Sequence, residues 1–220
     1  MKTALLFGSS GLVGGHLLNQ LIQDDNYNKI KIFVRSEPKI SDPKIEIVRT
    51  DFNNLQNHKE DIKGDDCFLC IGTTKQNSPD QSEYRRVELD VPKKIAQIAK
   101  SNSVNSFVFV SSGYADPKSS GDYLKFKGEV EEELKRLNFP KLGIMRPSFL
   151  LGDRKEKRVG EKIGIFVFKL LSPLFLGPLK KMKPIHSETV AKAMISSANE
   201  NLKKNVFESN EIAELVLNQT

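Results

Sequence analysis

The chain has no tryptophan, two cysteines and three histidines in 220 residues. Two thiols cannot build a disulfide framework. Cys67 and Cys70 do form a C-x-x-C pattern, but they lie in the apolar run Cys67 to Ile71, which reads as a buried strand. Side chains an odd number of positions apart on a strand face opposite ways, so the pair is expected as two buried thiols and not as a redox couple. His16, His58 and His186 are scattered without metal-ligand spacing, and no metal site is expected. Long apolar runs are also lacking. Ile163 to Leu179 is broken by Lys169, Pro173 and Pro178, and the apolar residues after Lys2 give way to glycine at Gly8, too soon for a secretory signal. A cytoplasmic protein without a transmembrane segment is expected. The net charge of +6 is spread as interleaved lysine and glutamate, without the aromatic-basic pattern of an RNA reader or a DNA-binding helix pair. That excess suits an anionic cofactor or substrate, not a nucleic acid.

What is present is ordinary globular material, 38% hydrophobic, long enough for a single domain over residues 1–220. Short apolar runs at Thr3 to Phe7, Lys29 to Val34, Ile45 to Arg49, Cys67 to Ile71, Ser106 to Ser111 and Leu142 to Arg146 predict strands. Helical periodicity falls between them at Gly11 to Gln23, Gln81 to Ser101 and Asp122 to Leu137, with a helical turn or two within Asn53 to Lys63. Pro92 is expected to interrupt the second long helix, with Asp90 capping the part that resumes. The alternation predicts an α/β fold, a Rossmann-like doubly wound parallel sheet with a small C-terminal substrate-covering part, about 153–185 serving as insertion or lid. Ligands of such sheets bind beyond the carboxyl ends of the strands.

The first strand end carries Gly8-Ser9-Ser10-Gly11-Leu12-Val13-Gly14 and runs into a helix. Glycines there permit a sharp turn and close approach, and the helix N-terminus offers free N–H groups and a partial positive charge to a pyrophosphate. Arg35 follows the second strand, where an arginine pairs with the 2′-phosphate of NADP and an acidic residue accepts the 2′-hydroxyl of NAD. NADP(H) is therefore the expected cofactor, with NAD(H) as the alternative because Glu37 is close by. Asp51 and Phe52 follow the third strand, suited to an adenine amino group and ring. The fourth strand ends in Ile71-Gly72-Thr73, small residues that leave room for the cofactor.

After the fifth strand come Ser111 and Ser112, then Tyr123 and Lys127 at the start of a helix, four apart and so on one face. A phenol with a pKa near about 10 exchanges protons poorly at neutrality, and lowering it by about 3 units needs roughly 4 kcal/mol, within reach of nearby positive charges. With a serine hydroxyl to hold the substrate oxygen, this makes a proton relay for hydride transfer. Tyr-x-x-x-Lys occurs twice more. Tyr27 to Lys31 leads into and ends inside the second strand, and Tyr114 to Lys118 contains Pro117, so neither suits the role.

These segments together resemble an atypical short-chain dehydrogenase/reductase: the Gly8 to Gly14 loop, Val110-Ser111-Ser112, Tyr123 with Lys127, and Arg146-Pro147-Ser148 with Gly152. More narrowly, Cys70 to Thr74, Gly121 to Glu131 and Asp153-Arg154 with Glu156, Arg158, Gly160 and Glu161 resemble the Tat-interactive-protein oxidoreductase-like branch, and the late segment is similar to NAD-dependent epimerases and dehydratases. The resemblance implies Ser112 as the polarising hydroxyl, Tyr123 as acid/base, Lys127 as its electrostatic partner and ribose ligand, and Pro147 near the nicotinamide. Ser111 remains the alternative to Ser112. The implied reaction is carbonyl/alcohol hydride transfer on a small molecule, hydrophobic or anionic, with a homodimer as the assembly considered. The alternatives are an NADPH-binding regulatory sensor without turnover and a sugar-nucleotide epimerase or dehydratase. Arg154, Lys155, Lys157 and Arg158 read as a solvated charge run, with an anionic substrate as the other reading. Ile163 to Leu179 reads as packing against the sheet, or as a lid, a dimer contact or a membrane-touching segment. Pro184 to His186 reads as a strand end before a helix.

Overall fold

The computed structural model describes residues 1–152 and 181–217. The basic loop at Arg154 to Arg158, the apolar segment Ile163 to Leu179 and all but the last residues of the expected lid lie outside the described residues.

The strands form one parallel seven-stranded sheet in the order β3-β2-β1-β4-β5-β6-β9. They are β1 (Lys2–Phe7), β2 (Tyr27–Val34), β3 (Ile45–Arg49), β4 (Asp66–Leu69), β5 (Ser106–Val110), β6 (Lys141–Arg146) and β9 (Val206–Glu208). A small pair, β7 (Leu150–Leu151) with β8 (Ile185–His186), lies beyond the end of β6. The chain runs outward from β1 to β3, then returns to place β4 on the other side of β1, so the order reverses between β1 and β4. A ligand crevice opens at such a reversal.

Strand alternation sends two sets of side chains to opposite faces. Leu5, Phe7, Phe33, Cys67, Leu69, Phe107 and Phe109 meet α2 (Gln81–Arg85), α3 (Val91–Ser101) and α4 (Asp122–Leu137). Ala4, Leu6, Ile32, Phe68, Val108 and Met145 meet α1 (Leu12–Gln23), α5 (Ser187–Asn199) and α6 (Ser209–Leu217). Cys67 belongs to the first core, while the Cys70 sulfur lies 3.9 Å from that of Met194 against the second. The thiols thus face opposite ways, as the strand reading expects, and burial pushes the Cys70 thiol up to about 12.

One local reading is corrected and one strand is added. Asp90 caps nothing: it has helical dihedrals, no capping hydrogen bond, and ends a π turn over Arg86–Asp90 that joins α2 to α3 without a break. The seventh strand is also new. Val206–Glu208 is too short to show periodicity and is held by pairing with Ile144 to Arg146.

Candidate functional site

The turn after β1 is built so that only glycine fits. Gly8 has φ +88°, and a Cβ there would lie 2.7 Å from the carbonyl carbon and oxygen of Cys70. A Cβ on Gly14 would come within 2.1 Å of the Gly8 carbonyl oxygen, which instead accepts a hydrogen bond from the Gly11 N–H at 3.0 Å. The first turn of α1 therefore packs directly on the loop. Gly11 is its N-cap and supplies no side-chain cap, and the first turn holds no acidic residue. Among the described residues no side chain caps its N–H groups, and Ser10 beside them is exposed, while Leu12 is half-buried and Val13 buried. A pyrophosphate suits this cradle in shape and donors.

Around the crevice the other strand ends follow in order. Arg35 is exposed at the end of β2, and the Glu37 carboxylate is taken by an ion pair with Arg49 of β3. Beyond β3, Asp51 accepts hydrogen bonds from the Asn53 backbone (2.9 Å) and side-chain amide (2.8 Å), which hold its carboxyl below the usual range. Phe52 follows in the left-handed region at φ +64° and packs half-buried on the core. Arg86 adds to the field on Asp51 and is clamped by Glu83 through hydrogen bonds of 2.6 and 2.8 Å. After β4 come Ile71, half-buried, and the exposed Gly72, while the Thr73 N–H is drawn inward to a buried carboxylate.

That carboxylate is Glu88, which sequence reasoning missed. It is fully buried on the π turn, accepts from the Thr73 N–H at 2.5 Å, and pairs with the Lys127 ammonium at 3.0 Å. Lys127 itself is 2% exposed, with its ammonium 4.9 Å from the centre of the Phe109 ring and 5.8 Å from that of Tyr123. Burial works against its charge, but Glu88 and Tyr123 outweigh it and the Lys127 pKa is raised. The lysine is charged at neutral pH. Tyr123 is 39% exposed at the first turn of α4, with its ring close to the buried lysine.

The two serines after β5 separate cleanly. The Ser111 hydroxyl is buried and donates to Glu131 at 2.6 Å. Ser112 is half-buried, and among the described residues its hydroxyl makes only a long contact of 3.3 Å with the Gly113 carbonyl. Gly113 in turn donates to the Pro147 carbonyl at 2.9 Å, which brings the buried Pro147 beside the serine loop. Among the described residues, Tyr27 lies in β2 and Tyr114 in a turn, so neither lysine four residues on shares a helical face with its tyrosine.

A doubly wound sheet with a glycine cradle at its reversal point defines a dinucleotide-binding protein. A family model described as NAD(P)H-binding matches residues 8–201, and the chain belongs to that family. It is similar to a protein of Candida glabrata named Protein FMP52, mitochondrial, 31% identical across 99% of this chain and 97% of the relative. It is also similar to Protein HTATIP2 of Rattus norvegicus, 34% identical across 73% of this chain and 67% of that one, which bears out the resemblance to the Tat-interactive-protein branch. The Bordetella bronchiseptica enzyme WbmH, solved with NAD+, has the same fold with a TM-score of 0.70 at 16% identity, covering 94% of this chain and 74% of its own. The expectation of a cytoplasmic protein is overturned by the Candida glabrata relative and others named mitochondrial. An early glycine that breaks a secretory signal does not bear on a mitochondrial address. Among the described residues no helix is long and apolar enough to cross a membrane.

Proposed function

We propose that this protein is an NADP(H)-dependent oxidoreductase of the short-chain dehydrogenase/reductase type that interconverts a carbonyl and an alcohol. The observation that carries the reading is the buried, charged Lys127 beneath Tyr123 at the carboxyl edge of the sheet, one loop from Ser112. The cofactor would be held by the Gly8 to Gly14 cradle with Ser10, Leu12 and Val13, by Arg35, Asp51 and Phe52 at its adenosine half, and by Ile71, Gly72, Thr73, Lys127 and Pro147 at the other. Bound there, its nicotinamide supplies or accepts the hydride.

The chain's own groups do the rest. Ser112 holds the substrate oxygen by a hydrogen bond, and Tyr123 exchanges the proton with it. Lys127 supplies a positive charge near the phenol and donors for ribose hydroxyls. Ser111 is committed to Glu131, which favours Ser112 for the substrate. NADP(H) is favoured because Glu37, the acidic neighbour that would suit a free 2′-hydroxyl, is engaged by Arg49 while Arg35 stands exposed. Relatives named mitochondrial support the same compartment for this chain.

The test is oxidation of NADPH by purified protein across aldehydes, ketones and quinones. Turnover on at least one class, reduced about a hundredfold or more by Tyr123→Phe, is expected. Full turnover in Tyr123→Phe contradicts the assigned acid, and saturable NADPH binding with no turnover on any class points to a sensor.

A further inference from the structure

Pro92 has no N–H, and in a regular helix its ring would collide with the carbonyl of the residue four before it, Glu88. The chain answers with the π turn over Arg86–Asp90. Such turns insert extra width into a helix and recur at functional sites. This one buries Glu88 completely. A buried carboxylate is costly unless it is paired and hydrogen-bonded. Here one oxygen takes the Thr73 N–H at 2.5 Å and the other lies 3.0 Å from the Lys127 ammonium. That second contact is an ion pair between two buried groups. Gly72 sits directly over the pair: a Cβ there would be 3.4 Å from Glu88 Oε1 and 3.9 Å from Lys127 Nζ. One carboxylate thus ties α4 to the loop after β4.

We infer that Glu88 is a positioning residue, fixing the Lys127 ammonium and the Gly72–Thr73 backbone as one unit against the nicotinamide-ribose half of the cofactor. The inference rests on the cofactor reading above. Packing alone does not call for this pair, since apolar side chains of similar volume commonly stabilise as well as a buried ion pair or better.

Calorimetric titration of the full chain with NADP+ and with 2′,5′-ADP, which carries only the adenosine half, separates the possibilities. Glu88→Gln is expected to weaken NADP+ about tenfold or more while 2′,5′-ADP stays within about twofold. Lys127→Gln is expected to give the same pattern, the double variant little further loss, and Glu88→Asp partial recovery. Unchanged NADP+ affinity in Glu88→Gln overturns the inference, as does an equal loss of both ligands, the mark of a role in overall folding. If Glu88→Gln does not fold, Glu88→Asp, which keeps the buried charge but draws it back from the ammonium and the Thr73 N–H, carries the same comparison. Failure of the unaltered protein to bind either ligand overturns the cofactor reading itself, and Glu88's role with it.

Discussion

The guanidinium of Arg146, at the end of β6, clasps the carboxylate of Glu131 on α4 through hydrogen bonds of 2.8 and 2.6 Å. The same carboxylate accepts the Ser111 hydroxyl, and the same guanidinium reaches the Ala115 carbonyl at 3.0 Å and Glu208 of β9 at 3.4 Å. The ends of three adjacent strands are thereby locked to the helix that carries Tyr123 and Lys127. Glu131 continues their spacing of four along that helix.

Removing Glu131 leaves Arg146 half-buried without its main partner. Glu131→Ala is expected to cost about 3 kcal/mol, as breaking a buried pair on one side does, read from urea denaturation. A loss under about 1 kcal/mol, the scale of a surface pair, would mean that the network contributes little to the fold.

The glycine cradle gives a paired prediction. Gly14→Ala forces its new methyl into the Gly8 carbonyl, so the loop must move, at about 1–3 kcal/mol of stability and with loss of cofactor affinity. Gly15→Ala meets only the Ser9 carbonyl at 3.6 Å, an ordinary contact, and is expected to be neutral or stabilising by up to about 1 kcal/mol. Thermal melting and NADPH titration of both variants check this. Equal behaviour of the two would contradict it.

Stability should also depend on pH through Asp66, far from the cradle at the opposite edge of the sheet. Burial raises its pKa, against hydrogen bonds from Tyr27 at 2.7 Å and Lys2 at 3.0 Å. A carboxyl whose folded pKa is raised favours folding below its unfolded value, about 3.9, and that contribution is lost as pH rises through the folded value. Relative to the unaltered protein, Asp66→Asn is therefore expected to gain stability as pH rises from that point toward neutrality. Melting temperatures across that range decide it, and a variant that loses ground with rising pH refutes it.

How much of this the sequence disclosed follows from where each signal resides. The strands from β1 to β6 are apolar runs bounded by glycine or polar residues, and glycine spacing alone marks the cradle. Val206 and Phe207 gave no such signal, because two apolar residues beside Glu208 become a strand only through pairing with β6. Pro92 was visible, but its consequence was misread: a cap at Asp90 was expected where the helix widens and turns Glu88 inward. Glu88 and Glu131 look like any acid in a chain rich in lysine and glutamate. The step of four from Tyr123 through Lys127 to Glu131 and the carbonyl clash at Pro92 were the signals available for them.

Binding of a nicotinamide cofactor across this crevice is decided by calorimetric titration with NADPH and NADH. Saturable binding at one site is expected, tighter for NADPH, with the preference reduced about tenfold by Arg35→Ser and binding lost in Gly14→Ala. Absence of heat with either nucleotide, or binding that Gly14→Ala leaves untouched, would contradict it.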